Sequence, residues 1–320
     1  MGRVSDPTPT ADVLVTLPDA EWLDLVQPLP DGVRARVWDV SSDPREALGE
    51  DADQVRAVVL PYGSPATALA SLADLPRLQL VQALSAGVDS LVGAVPPGTP
   101  LANGAGVHDA STGELAVALA LASLRGIDEA VRDAEQARWR PSRRRTLADR
   151  RVLLLGTGGI GGAVAARLRP FEVDLVRVAS RARTDADGVV HGVEELPALL
   201  PGAEVVVLAL PLTGATRGIV DAAFLAAMPD RALLVNVGRG ALVDTGALLA
   251  ELRRGRLTAA LDVVDPEPLP ADHPLWGAPG LLLTPHVGGD TTAMRPRAVA
   301  LLRAQLERLR DGQEPANLVG

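Results

Sequence analysis

Four consecutive apolar residues, Val152 to Leu155, run directly into Gly156-Thr157-Gly158-Gly159-Ile160-Gly161, and a helix-compatible stretch follows from Ile160 to Leu168. No other feature constrains the fold as tightly. An apolar run without alternation is a strand covered on both faces, as in a parallel sheet. In Gly-x-Gly-x-x-Gly the first glycine permits the tight turn, the second lets backbone approach a bound group, and the third lets the helix pack close to the strand. The first N–H groups of the helix carry the positive end of its dipole. Gly156, Gly158, Gly159, Ile160 and Gly161 are therefore predicted to hold the pyrophosphate of a dinucleotide.

The same strand and helix alternation extends both ways. Upstream, Asp12 to Thr16, Val33 to Val40, Ala57 to Leu60 and Leu78 to Leu84 read as strands, with Ser64 and Pro65 as a helix cap and first turn. Ser111-Thr112-Gly113-Glu114 has capping-box spacing ahead of a long helix through Leu124. Downstream, strands are expected at Asp174 to Ala179, Glu204 to Leu210, Ala232 to Val237, Leu257 to Val264 and Leu281 to Thr284. This pattern predicts an α/β fold of two Rossmann-like, doubly wound parallel-sheet domains. The last helical run, Thr291 to Arg310, is read as packing back on the first domain. That makes the dinucleotide domain, residues 104–288, an insertion in a discontinuous substrate domain of residues 1–103 and 289–320.

Composition narrows the chemistry. All 31 basic residues among the 320 are arginine, which removes Schiff-base and lysine-base mechanisms. A net charge of −9 with scattered arginines argues against nucleic acid. The triplet Arg143-Arg144-Arg145 reads as a solvated connector. Cysteine is absent, so disulfides and thiolate metal sites are excluded. No apolar run is long enough for a membrane span. Met1 to Thr10 is polar, without an export signal, so a cytoplasmic location is expected. No metal is predicted.

The strand after the glycine loop ends Val178-Ala179-Ser180-Arg181-Ala182-Arg183. An acidic residue there would accept hydrogen bonds from a ribose 2′-hydroxyl; instead Ser180, with Arg181 and Arg183, offers a hydroxyl and two guanidinium groups to a 2′-phosphate. NADP(H) is the expected cofactor, with NAD(H) the alternative. Three further segments follow strands at the sheet edge where open α/β folds bind ligands: Val237-Gly238-Arg239, Asp262 through Glu267-Pro268, and Pro285-His286.

Taken with Ser85-Ala86-Gly87-Val88-Asp89 and Leu210-Pro211-Leu212-Thr213 plus Thr216, this ordered set resembles the D-isomer-specific 2-hydroxyacid dehydrogenases along nearly the whole chain. The resemblance implies catalytic roles for Arg239, which would hold the substrate carboxylate and carbonyl, for His286 as general acid, and for Glu267 as the partner of the imidazole. It also implies that Ser85, Ala86 and Gly87 bind the substrate carboxylate together with Arg239 and His286. Thr112, Leu210, Pro211, Thr216 and Val237 would flank the cofactor, and Asp262 would meet the nicotinamide carboxamide. A small 2-oxo or 2-hydroxy acid, with glyoxylate or hydroxypyruvate first, D-stereochemistry and a homodimer follow from the same resemblance. Two departures stand out: Val264 where an aromatic residue is frequent, and Ala179 where an acid is frequent. The chain is also shorter than members that carry a regulatory domain. The competing reading is a nucleotide-sensing binding protein or corepressor without turnover.

Overall fold

The computed structural model describes residues 12–319, and the polar lead-in Met1 to Thr10 lies outside them. The chain divides into two compact units, one formed by residues 108–291 and the other by the segments on either side. The boundaries fall after Val107 and Thr291, a few residues later than the sequence reading places them.

In chain order the first segment gives β1 (Val13–Leu17), α1 (Ala20–Leu25), β2 (Val33–Val37), α2 (Pro44–Leu48), β3 (Val55–Val59), β4 (Leu80–Gln82) and β5 (Leu101–Ala102). The second unit follows with α3 (Asp109–Arg125), α4 (Ile127–Glu135), β6 (Arg151–Leu155), α5 (Gly159–Leu168), β7 (Asp174–Ala179), β8 (Arg183–Asp185), β9 (Gly188–Gly192), α6 (Leu196–Leu199), β10 (Val205–Leu208), α7 (Ala222–Ala227), β11 (Leu233–Asn236), α8 (Thr245–Arg253), β12 (Thr258–Leu261) and β13 (Leu281–Leu283). The chain then returns to the first unit with α9 (Met294–Arg310) and β14 (Leu318–Val319).

The first unit is a six-stranded sheet in the order β14-β5-β4-β3-β1-β2. All pairings are parallel except β14 on β5, an antiparallel edge. Helix α9 covers one face by burying Ala298, Leu302, Leu306 and Leu309, a helical stripe in which each fully buried leucine stabilises by roughly 1.5–3 kcal/mol. Between β4 and α9 the buried amides of Gln82 and Gln305 bond to each other at 2.8 Å, satisfying polar groups that would otherwise be orphaned. Ser64 does not cap a helix: its Oγ donates back to the Pro61 carbonyl, and Pro65 precedes a nine-residue 3₁₀ segment, Ala66–Asp74, that has no side-chain cap.

The second unit is an eight-stranded sheet, β13-β12-β11-β10-β6-β7-β9-β8. It is parallel except for β8, which turns back on β9. Central strands β6, β10 and β11 are buried along nearly their whole length, as the unbroken apolar runs require. Helix α3 starts at Asp109, earlier than the capping-box spacing suggests, so Ser111 is helical and its Oγ donates to the His108 carbonyl, while Glu114 pairs with Arg167. The N-cap bonds of the α-helices in this unit, among the described residues, come from aspartates: Asp221 accepts from Phe224 N–H and Asp244 from Ala247 N–H. Gly113 lets α3 lie close on α5, since a Cβ there would sit 3.0 Å from Ala163 Cβ. Arg145 is not a solvated connector. It donates to the Arg231 and Glu204 carbonyls, and burial holds its guanidinium below the usual arginine range. Arg144 pairs with Glu129. Among the described residues no single helix is long and apolar enough to cross a membrane, and α3 and α4 together break by 64°.

Candidate active site

At the end of β6 the backbone of Gly156 has φ +105°, and a Cβ there would lie 2.3 Å from the Ala209 carbonyl oxygen. At Gly161 a Cβ would lie 2.0 Å from the Gly156 carbonyl oxygen, so both positions admit only glycine. Gly158 differs: a Cβ there meets nothing within 4 Å. The loop is tight on its protein side and open at Gly158, which fits a pyrophosphate approaching the start of α5. The Asp109 carboxylate fills the space beside Gly159, where a Cβ would fall 2.0 Å from Oδ2. Ile160 is half-buried against the core beneath α5.

Next to the loop, Leu155, Val178, Ala179, Ser180, Val193, Leu210, Ala215, Thr216 and Ile219 line a mostly apolar cavity of about 100 Å³. Thr216 shapes its rim: Oγ1 donates to the Pro211 carbonyl at 2.7 Å and accepts from Thr213 N–H at 2.8 Å. Ser180 and Arg181 are exposed past β7, with no carboxylate at the strand end. Arg183, the second guanidinium of that strand end, reaches the loop itself, donating from Nη2 to Thr157 Oγ1 at 2.6 Å.

The opposite half of the sheet carries the ionisable set. Arg239 follows β11, its Nη1 bonded to the Gly238 carbonyl at 2.8 Å. Buried Asn236 shapes that turn, donating to the Arg239 carbonyl at 2.8 Å and accepting from Gly238 N–H at 3.0 Å. Sequence reasoning passed over Asn236; its place at the end of a buried strand was the available signal, because a polar side chain there needs partners. A Cβ on Gly240 would collide with the Val264 carbonyl, holding the β11 and β12 loops together. Val237 is buried and donates to the Leu208 carbonyl.

Asp262, 3% exposed at the end of β12, organises the loop after β13. Oδ1 accepts from Thr284 Oγ1 at 2.6 Å and Val287 N–H at 2.9 Å, and Oδ2 from Gly288 N–H at 2.9 Å. The Asp262 carbonyl also accepts from His286 N–H at 2.8 Å. These four bonds clamp a backbone in which His286 has φ +53°, a conformation costly for a non-glycine residue unless its surroundings impose it. The imidazole Nδ1 bonds Glu267 Oε1, and both side chains are partly exposed. Asp265 instead offers its carbonyl to Thr245. Thr112, buried in α3, lies beside the Gly288 position. His108 meets the Gly289 carbonyl, His191 pairs with Glu195, and His273 accepts from Leu275 N–H. No cluster among the described residues would hold a metal.

In the first unit, Ser85, Ala86 and Gly87 follow β4 at the carboxyl edge of its sheet. The Ser85 carbonyl accepts from Gly104 N–H at 2.7 Å and that of Ala86 from Asn103 Nδ2 at 2.8 Å, so the turn's shape is held from behind.

A family model described as D-isomer specific 2-hydroxyacid dehydrogenase, NAD binding domain, matches residues 117–288. The chain is 36% identical over 255 residues, 77% of its length and 84% of the relative's, to an uncharacterised protein of Corynebacterium melassecola. It is 33% identical over 264 residues, 78% of this chain and 82% of the relative, to glyoxylate/hydroxypyruvate reductase A of Yersinia enterocolitica. The crystal structure of a D-isomer specific 2-hydroxyacid dehydrogenase from Xanthobacter autotrophicus Py2 in complex with NADPH and MES is 32% identical, with a TM-score of 0.82 over 97% of this chain and 98% of that one.

Proposed function

The chain belongs to the D-isomer specific 2-hydroxyacid dehydrogenase family, and from that premise we propose that it reduces a small 2-oxo acid, glyoxylate or hydroxypyruvate, using NADPH. The observation that carries the reading is the His286–Glu267 pair, held beyond the same sheet edge as Arg239 and the glycine loop. The cofactor, when bound, supplies the hydride. Arg239 stays charged and presents two donors, so it fixes the substrate carboxylate and polarises the carbonyl. With Nδ1 engaged by Glu267, Nε2 is the imidazole nitrogen left to protonate the carbonyl oxygen as its carbon is reduced. Glu267 holds the ring by its Nδ1, which fixes the direction in which Nε2 points. Exposure of His286 then lets solvent restore it.

Preference for NADPH is supported by the exposed Ser180 and Arg181, by the missing acid at that strand end, and by Arg183 beside the loop. The NADPH complex of the Xanthobacter relative points the same way. Within the first unit, Ser85, Ala86 and Gly87 are proposed to offer backbone amides to a carboxylate. Asp262 uses three acceptor positions on the loop and keeps one for the carboxamide. A homodimer is proposed because α4 buries none of its residues and exposes Ile127 and Val131 one turn apart, and because Trp139, four residues beyond the helix, is 94% exposed. Light scattering tests the dimer. A cytoplasmic location accords with a cysteine-free chain, and cell fractionation tests it.

The test of function follows nicotinamide absorbance with NADPH or NADH and a panel of 2-oxo acids. NADPH oxidation by one or two acids is expected; equal efficiency with NADH would overturn the cofactor preference, and binding without turnover would overturn the enzyme. His286→Ala should lower kcat about 10²- to 10⁴-fold while NADPH still binds.

A further inference from the structure

The hairpin of β8 and β9 brings two carboxylates close to the groups offered to a 2′-phosphate. Asp185 and Asp187 follow Arg181 and Arg183 within a few residues, and as free anions they would repel a phosphate. Both are engaged. Arg177, on β7 with a side chain only 9% exposed, donates Nη1 to Asp185 Oδ2 at 3.0 Å and Nη2 to Oδ1 at 2.8 Å. Nη2 also reaches the Val189 carbonyl at 3.4 Å, and Asp185 Oδ1 accepts from Asp187 N–H at 2.9 Å. Asp187 is paired with Arg169, just past α5. Val190 is the strand partner of both Arg177 and Arg183, so the placement of β8 passes through one residue to the strand that carries Arg177.

We propose that Arg177 is a positioning residue for cofactor choice: its two-point grip on Asp185 neutralises that acid and fixes β8 so that Arg183 stays over Thr157, available to a 2′-phosphate. Arg177 touches no cofactor in this scheme; it acts through Asp185 and Arg183. Bidentate guanidinium–carboxylate pairing supplies direction as well as strength, which a hairpin of three and five residues otherwise lacks. The inference rests on the NADPH reading given above.

Arg177→Met and Asp185→Asn in the full chain test it, by KM for NADPH and NADH and by binding of adenosine 2′,5′-bisphosphate against adenosine 5′-diphosphate. For Arg177→Met the expected result is a KM for NADPH raised about tenfold, the loss of one charge-assisted contact, and for Asp185→Asn, which removes the anchor and the anion together, a smaller rise, with KM for NADH and kcat unchanged in both. Binding of the 2′-phosphorylated fragment should weaken in parallel, and Arg177→Lys should recover part of the loss. A KM raised equally for both cofactors would reduce Arg177 to a structural role and overturn the proposal, as would no change in either. Arg183→Ala separates the two readings. If it abolishes NADPH preference while Arg177→Met preserves it, positioning alone fails; if it leaves preference intact, Arg183 is not the contact and the proposal falls. In the Asp185→Asn/Arg183→Ala double variant, which leaves no freed carboxylate at position 185, a loss no larger than that of Arg183→Ala alone is expected, because both act on one contact; additive losses would overturn it.

Discussion

Replacing Asp262 by asparagine isolates the clamp on the His286 loop. The side chain keeps its shape, and one oxygen still accepts from Thr284 and Val287, which lie at 2.6 and 2.9 Å in the parent. The other oxygen becomes an amide nitrogen whose hydrogens face the Gly288 N–H, now 2.9 Å from a carboxylate. One charge-assisted bond is lost, worth about 1.5–3 kcal/mol at a buried site, and the two survivors weaken towards neutral strength. A local loss of about 3 kcal/mol corresponds to roughly a hundredfold more opening of the loop. Hydrogen exchange at the amides of Val287 and Gly288 reads this directly, avoiding the question of whether a two-unit chain unfolds in one step. Exchange there should accelerate by about two orders of magnitude. Because the same clamp imposes the left-handed backbone of His286, kcat should fall at least tenfold, about 1.4 kcal/mol of misplacement, with NADPH affinity much less affected. Unchanged protection at Val287 and Gly288 together with parent kcat would refute the reasoning. A loss confined to NADPH affinity would instead make the carboxamide contact the main role of Asp262.

Two substitutions probe other parts of the site. Gly161→Ala drives a methyl group to 2.0 Å from the Gly156 carbonyl, so NADPH titration should show affinity reduced at least tenfold; parent affinity would mean that the loop shifts freely. Arg239→Lys keeps the charge but removes the planar fork, and steady-state kinetics should show a raised KM for the 2-oxo acid and a lower kcat, whereas parent kinetics would exclude bidentate binding.

Much of the second unit could be read from the sequence because its central strands are largely apolar runs ending in turns. Val152 to Leu155 and Ala232 to Val237 each announce a buried strand, Leu281 to Thr284 announces a half-buried edge strand, and each points to the loop after it. Boundaries were less legible where local signals compete. Ser111 and Glu114 have the spacing of a capping box, yet the helix begins at Asp109, and the hydroxyl bonds inside the helix instead. The β8–β9 hairpin escaped because Arg183-Thr184-Asp185 is an exposed charged strand with no hydrophobic period. Its reason for forming, the grip of Arg177 on Asp185, is visible only in three dimensions. Asn236 and the Gln82–Gln305 contact were missed for the same reason: a buried amide reports its importance through partners distant in sequence. The edge strand β14 is two residues long, too short for any periodicity to show.

The return of α9 and β14 to the first sheet sets an order of events during synthesis. When Ala102 leaves the ribosome, β5 has no partner on its outer edge, and the surface later covered by Leu302, Leu306 and Leu309 faces water. The whole of residues 108–291 must emerge first, a delay of tens of seconds at roughly 5–20 residues per second. The inserted unit, continuous in sequence, is able to complete its core while the earlier segment waits. A chain halted before Thr292 should therefore resist protease across residues 108–291 and be cut within residues 13–107; equal resistance in both would show that the first sheet closes without its last helix. Discontinuity thus makes the unit that begins the chain the last to be finished, and leaves its apolar face the one most exposed to chaperones and to misassociation.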